Sequence, residues 1–257
     1  MKKKIIIGNW KMNLNVHEAS TLVHRLNSHI KTHRNVEVVL AAGFVSLQPL
    51  SLQLDQRKFK LAAQNAYFKD EGAFTGEVSF TQLRGLVQYC IIGHSERRIY
   101  FNETLEVVRD KVQAAIRNGI KPILCVGETS QERSNNETHR VVHDQVVTAL
   151  ANLTNEEIEH VVIAYEPVWA ISTFGGQVAK PEDVQKVLKQ IRNEIHELYG
   201  ATVAEEVRII YGGSVKADTA SAYLGLADCD GALSGGASLI YDQFAGIVER
   251  AYQLTHE

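Results

Sequence analysis

The chain has 257 residues, a formal net charge of −3, and 45% hydrophobic against 22% charged residues. That balance excludes a disordered chain and allows a large buried core. An acidic total argues against nucleic acid as a main partner, since that role needs a concentrated basic face, and any pull on an anionic substrate must be built locally.

From the start of the chain, Met1-Lys2-Lys3-Lys4 and Ile5-Ile6-Ile7 imitate the opening of a secretory signal. The apolar run breaks at Gly8-Asn9, short of the roughly 7–15 residues such a signal needs. No later stretch approaches the ~20 apolar residues of a membrane span, so no membrane partner is expected. Short runs rich in Ile and Val then recur along the whole chain. The expected strands are Ile5–Trp10, Val36–Ala42, Lys60–Asn65, Tyr89–Gly93, Lys121–Val126, Val161–Tyr165, Val207–Tyr211 and Asp230–Ser234. Several are continuously apolar, as expected of parallel strands covered on both faces.

Helical patterns lie between these runs. Leu105, Val108, Val112 and Ile116 make one face that ends near Gly119. After Pro181, the residues Val184, Val187, Leu188, Ile191, Ile195 and Leu198 form a continuous stripe, the mark of an amphipathic helix. Pro181 suits its first turn, Glu182 and Asp183 suit its positive end, and Gly200 suits its stop. Length alone would suggest about two domains, but α/β barrels reach roughly 250 residues as one. With no linker in view, the economical reading is one βα repeat closing on itself: a single (β/α)8 barrel domain over residues 1–257. The alternative is an open, doubly wound sheet. That fold usually carries a glycine-rich dinucleotide loop after its first strand, and Gly8-Asn9-Trp10-Lys11 is not such a loop.

In parallel barrels, catalytic groups gather at the C-terminal ends of the strands. By that rule Asn9 and Lys11 follow the first strand, His94 the fourth and Glu166 the sixth. Gly212-Gly213-Ser214 follow the seventh, and Gly235-Gly236 the eighth. Their chemistry is complementary: a carboxylate can remove a proton beside a carbonyl, an imidazole can polarise that carbonyl, and an ammonium can offset anionic charge. Glycine turns let backbone N–H groups approach phosphate oxygens. Each residue alone also has a plainer reading. Glu166 reads as a solvated loop carboxylate, His94 as a helix-start residue, Lys11 as a surface charge, and the glycine pairs as turns. Cys90, Cys125 and Cys229 are odd in number and widely spaced, and read as reduced core thiols of a cytoplasmic protein.

GNWKMN at Gly8–Asn13, GAFTGEVS at Gly72–Ser79, IGHSERR at Ile92–Arg98, AYEPVWAI at Ala164–Ile171, YGGSV at Tyr211–Val215 and GGAS at Gly235–Ser238 occur in that order. Together they resemble the motifs of the triosephosphate isomerase family, from residue 5 to about residue 240. The resemblance implies interconversion of glyceraldehyde 3-phosphate and dihydroxyacetone phosphate, in glycolysis and gluconeogenesis, without metal or organic cofactor. It makes Glu166 the base that carries the proton and His94 a neutral electrophile. Lys11 becomes a fixed positive charge, with Glu96 either its pair or simply structural, and Asn9 a holder of the substrate oxygen. Backbone N–H groups near Ser172, of Ser214, and of Gly235 and Gly236 would bind the phosphate. Residues Pro167 to about Ala179 would form a lid, with Trp169 either its anchor or simple packing. A homodimer is implied, in which the loop at Phe74-Thr75-Gly76 reaches the partner's Lys11.

Two departures stand out. Where the family lid usually reads AIGTGK before a proline, this chain reads Ile171-Ser172-Thr173-Phe174-Gly175-Gly176-Gln177-Val178-Ala179-Lys180-Pro181, two residues longer. Gly175 and Gly176 can absorb the backbone rotation. Ordering the added residues makes closure less favourable, raising KM or leaking phosphate, unless Phe174 packs on a neighbour and compensates. Phe80 stands where the family often has a helix-starting proline. Two rivals remain, a non-catalytic phosphate-binding barrel and an aldose–ketose isomerase for a larger sugar.

Overall fold

A computed structural model describes residues 2–31, 34–171, 173–174 and 176–255. The strands are β1 (Lys4–Asn9), β2 (Val36–Ala42), β3 (Phe59–Ala63), β4 (Tyr89–Ile92), β5 (Lys121–Val126), β6 (Val162–Tyr165), β7 (Arg208–Tyr211) and β8 (Gly231–Ser234). Each pairs in parallel with the next, and β8 returns to β1 with Ile5 opposite Gly231, so the sheet closes into a barrel. The open-sheet alternative is thereby excluded. The second and fifth strands have the expected bounds, and most others move by a residue at one end. The third stops at Ala63 rather than Asn65 because Asn65 turns aside, its Oδ1 accepting from Lys111 Nζ at 2.7 Å.

Alternation along each strand divides the core in two. Ile5, Ile7, Val39, Ile91, Ile123, Ile210 and Leu233 fill the barrel, while Ile6, Val38, Leu40, Ile92, Leu124, Ile163 and Ile209 face the helices. With both faces buried, no polar alternation survives in these strands.

The helices are α1 (Val16–His29), α2 (Phe44–Gln53), α3 (Phe80–Leu83), α4 (Ser95–Tyr100), α5 (Leu105–Arg117) and α6 (Ser130–Ser134). They continue with α7 (Thr138–Leu150), α8 (Asn155–Ile158), α9 (Pro181–Tyr199), α10 (Ala201–Glu206), α11 (Ala220–Leu224) and α12 (Tyr241–Gln253). In α9, Pro181 opens the first turn, Gly200 ends the helix at φ 86°, and Val184, Val187, Leu188, Ile191 and Ile195 are buried. Leu198 departs from the expected stripe at 45% exposure, because the last turn instead turns Tyr199 inward, its hydroxyl donating to Leu150 O at 2.7 Å. Phe80 costs α3 nothing at its start: Ser79 and Gln82 form a reciprocal capping box, and Phe80 is fully buried. No helix among the described residues is long and apolar enough to cross a membrane.

Candidate active site

A cavity of about 590 Å³ opens at the C-terminal ends of the strands, lined among others by Asn9, Lys11, His94, Glu166, Ser214, Gly235 and Gly236. Seven residues singled out in sequence thus meet in one place. Ser172 lies outside the described residues, as does Gly175 of the expected lid.

Glu166 follows β6 and is 2% exposed, which rules out the solvated-loop reading. Its Oε1 lies 3.1 Å from His94 Nε2, and its Oε2 accepts the Ser95 backbone N–H at 3.2 Å. Burial of a carboxylate is costly unless donors reach it, and these two do. Gly212 makes the space: a Cβ there would stand 2.7 Å from Glu166 Cγ. Gly213 is required for a similar reason, since its Cβ would meet the Tyr211 hydroxyl at 2.0 Å. Part of what reads as a phosphate turn in sequence therefore serves close packing.

His94 caps α4, and its Nδ1 accepts the Glu96 backbone N–H at 3.2 Å. A ring nitrogen that accepts carries no proton, which leaves the proton on Nε2, the nitrogen that faces Glu166. The Glu96 carboxylate is 3.7 Å from Nδ1, beyond hydrogen-bond reach.

Lys11 has φ 54°, a left-handed conformation that costs a long side chain of order 1–3 kcal/mol. Neighbours hold it there. Its backbone N–H donates to Asn9 Oδ1 at 3.0 Å, and its carbonyl accepts from Gln64 Nε2 at 2.8 Å. Lys11 Nζ pairs with Glu96 Oε1 at 2.6 Å. Burial alone would raise the Glu96 pKa, but the bond from Lys11 and the Lys11 charge keep it below the ordinary value.

The stretch expected to form the lid begins on a tied-down turn. Trp169, in the tight turn Val168–Ala170, donates from Nε1 to Glu128 Oε1 at 2.9 Å, and the Arg133 guanidinium lies 4.1 Å from its ring centroid. Glu128 is fully buried and also accepts from the Tyr165 hydroxyl at 3.2 Å. Ser214 Oγ donates to Ala170 O of the same turn at 3.0 Å, and at the other end Ala179 O accepts from the Tyr223 hydroxyl at 2.8 Å. Glu128 and Gln64 went unmarked in sequence. Their partners lie far off in the chain, although Glu128 does follow a strand end, a signal that could have found it.

The three cysteines are free and buried. Burial pushes the Cys229 thiol up to about 11 and raises Cys90 and Cys125 as well, with the Glu166 charge adding to Cys125. Among the described residues, no group of three His, Cys, Asp or Glu could hold a metal ion.

The family model described as triosephosphate isomerase matches residues 4–251. A protein named triosephosphate isomerase from Alkaliphilus oremlandii is 46% identical over 250 residues, covering 96% of this chain and 99% of its own. Those of Caldanaerobacter subterraneus subsp. tengcongensis and Clostridium beijerinckii are 47% and 45% identical over 249 residues, again covering 96% of this chain and 99% of their own. A barrel with this rim, matched over this span, places the chain in the triosephosphate isomerase family.

Proposed function

We propose that Glu166, His94, Lys11 and Asn9 together interconvert D-glyceraldehyde 3-phosphate and dihydroxyacetone phosphate through an enediolate. As a member of its family the chain is an intramolecular aldose–ketose isomerase of glycolysis and gluconeogenesis. The observation that carries the residue assignment is the buried Glu166 carboxylate 3.1 Å from His94 Nε2 in a cavity shared with Lys11. A site that only bound phosphate would not need a desolvated base facing an imidazole N–H.

In the forward step Glu166 removes a proton from the carbon beside the carbonyl. The C–H electron pair forms the carbon–carbon double bond, and the carbonyl pair moves onto oxygen. His94 Nε2–H donates to that oxygen, which takes the place Glu166 Oε1 occupies beside the ring. His94 gives its Nε2 proton to that oxygen and takes the proton of the enediolate's other hydroxyl. That O–H pair becomes the new carbonyl, while the double-bond pair takes the proton back from Glu166 on the neighbouring carbon, with no net change of oxidation level. The neutral His94 ring fits this role, since its N–H stabilises the developing charge without first being lost. Lys11 supplies the fixed cation, and its strained backbone keeps Nζ over the cavity. Asn9 positions the substrate oxygen. Backbone N–H groups of Ser214, Gly235 and Gly236, with those near Ser172, hold the phosphate.

A homodimer completes this reading, in one barrel domain working in the cytoplasm. Met12 is wholly exposed beside Lys11, and Val45 is 75% and Phe74 39% exposed. Phe74 also packs on Tyr67 with centroids 4.6 Å apart, which stiffens the loop meant to reach the partner. Sedimentation at assay concentration tests this part; a fully active monomer would refute it. The reaction itself is tested by a coupled assay with glyceraldehyde 3-phosphate. Turnover is expected, and activity only on larger sugar phosphates, or on none, would favour one of the rivals.

A further inference from the structure

Phe174 lies in the stretch where the lid is two residues longer than the family pattern, and no step of the isomerisation above uses it. Thr173 and Phe174, next to each other in that stretch, both land on one helix and its partner. Thr173 Oγ1 donates to Glu96 Oε1 at 3.3 Å and accepts from Lys11 Nζ at 3.5 Å. The Phe174 ring sits 5.7 Å from the Tyr100 ring, tilted by 35°, within the range where aromatic pairs attract. Glu96 and Tyr100 stand in the first and last turns of α4, the helix that His94 caps. The Phe174 and Gly176 N–H groups both donate to Ile171 O, at 2.9 and 3.1 Å, which ties these two residues back to the start of the stretch.

We propose that Phe174 is a positioning residue that seats the lid on Tyr100, so that the longer lid still covers the reacting end of the site. The inference rests on the isomerase reading above. A longer loop loses more conformational entropy when it orders, and an aromatic contact at its tip offsets that loss. Thr173 over Lys11 and Glu96 sets where the tip must rest, while Phe174 supplies the apolar hold that a threonine lacks. Tyr100 stays 58% exposed with Phe174 beside it, so the contact is a surface one that the lid can make and release. Without this seat the tip would spend more time away from Lys11, and water would reach the enediolate, whose side reaction is loss of inorganic phosphate.

The test uses full-length protein and the variants Phe174→Ala, Phe174→Tyr, Tyr100→Leu and Phe174→Ala with Tyr100→Leu. KM, kcat and the inorganic phosphate released per turnover are measured together, with circular dichroism and melting temperature as fold controls. Phe174→Ala should raise KM and phosphate release roughly 2- to 10-fold, the range expected of one aromatic pair, with kcat nearly unchanged. Tyr100→Leu should do the same, the double variant should be no worse than either single one, and Phe174→Tyr should restore both values. Unchanged KM and phosphate release in Phe174→Ala, or effects that multiply in the double variant, would overturn the proposal. If the unaltered chain itself fails to isomerise triose phosphate, the functional reading fails; an active chain with an indifferent Phe174 sinks the seat alone.

Discussion

At the floor of the barrel, where the strands begin, Arg208 donates to Glu37 at 2.7 Å and to the Tyr89 hydroxyl at 2.8 Å. Beside it Arg192 reaches Asp230 at 2.8 Å, and Lys4 Nζ donates to the carbonyls of Leu224 and Cys229 at 2.8 and 2.7 Å. At the rim, by contrast, Lys11 is held at positive φ, Glu166 is buried with two donors, and Ser95 Oγ and Ser234 Oγ are buried without a partner. The same strands therefore end in satisfied ion pairs on one side and in strained or under-bonded groups on the other. A costly arrangement persists only where its surroundings fix it, and the paired floor supplies part of that support to the rim.

The sharpest way to separate the two ends is Glu166→Gln. It should lower turnover by roughly 10²–10⁴-fold or more, while the melting temperature stays close to that of the parent. An equal loss of stability would show that the rim, too, holds the barrel together. The opposite change is Arg208→Met, which leaves Glu37 without its partner. It should cost roughly 3 kcal/mol in urea unfolding, with KM and kcat of the folded enzyme unchanged.

The pair also has a pH signature. Burial alone would raise the Glu37 pKa, but the Arg208 bond and charge outweigh it and hold the carboxyl below its ordinary value. A depressed carboxylate contributes stability that is present above the unfolded pKa of about 4.3 and lost as pH falls through the folded value. Unfolding curves taken from pH 7 to pH 3 should therefore converge for the parent and Arg208→Met in acid. Tyr89, pushed up to about 12 by burial, takes no part in that window.

Two smaller changes refine the contrast. Glu128→Gln removes the charge beneath the Trp169 hinge and should cost about 1–2 kcal/mol, with KM rising because the hinge belongs to the rim. Leu198→Ala lies on neither end and should stay within about 0.5 kcal/mol of the parent. A larger cost there would mean that the exposed last turn of α9 is covered by something.

The architecture was legible because continuous apolar runs and Pro/Gly punctuation are local signals. Val36–Ala42 and Lys121–Val126 needed nothing beyond their own side chains to be placed. The meeting of the proposed catalytic residues was legible for a second reason: strand ends converge in a closed barrel, so counting strands places Asn9, His94 and Glu166 in one cavity. The supporting groups were not legible in the same way. Gln64 steadies Lys11, and the Ser95 N–H meets Glu166, only once distant strands have closed. Leu198 shows a related limit, since periodicity gives the face of a helix but not which side chain of its last turn meets the core. The family motifs gave roles to residues but said nothing of the contact between Phe174 and Tyr100, which arises where this chain leaves the motif.

The closing of β8 onto β1 also bears on how the molecule comes to exist. Ile5 waits for Gly231, and Gly8 for Ser234. A ribosome adding 5–20 residues per second needs roughly 10–50 s to supply the second member of each pair. Through that interval the first strand keeps one row of backbone donors and acceptors open, a template for neighbouring nascent chains. The lysines that precede Ile5-Ile6-Ile7 put like charges beside that edge, a deterrent to such encounters during translation.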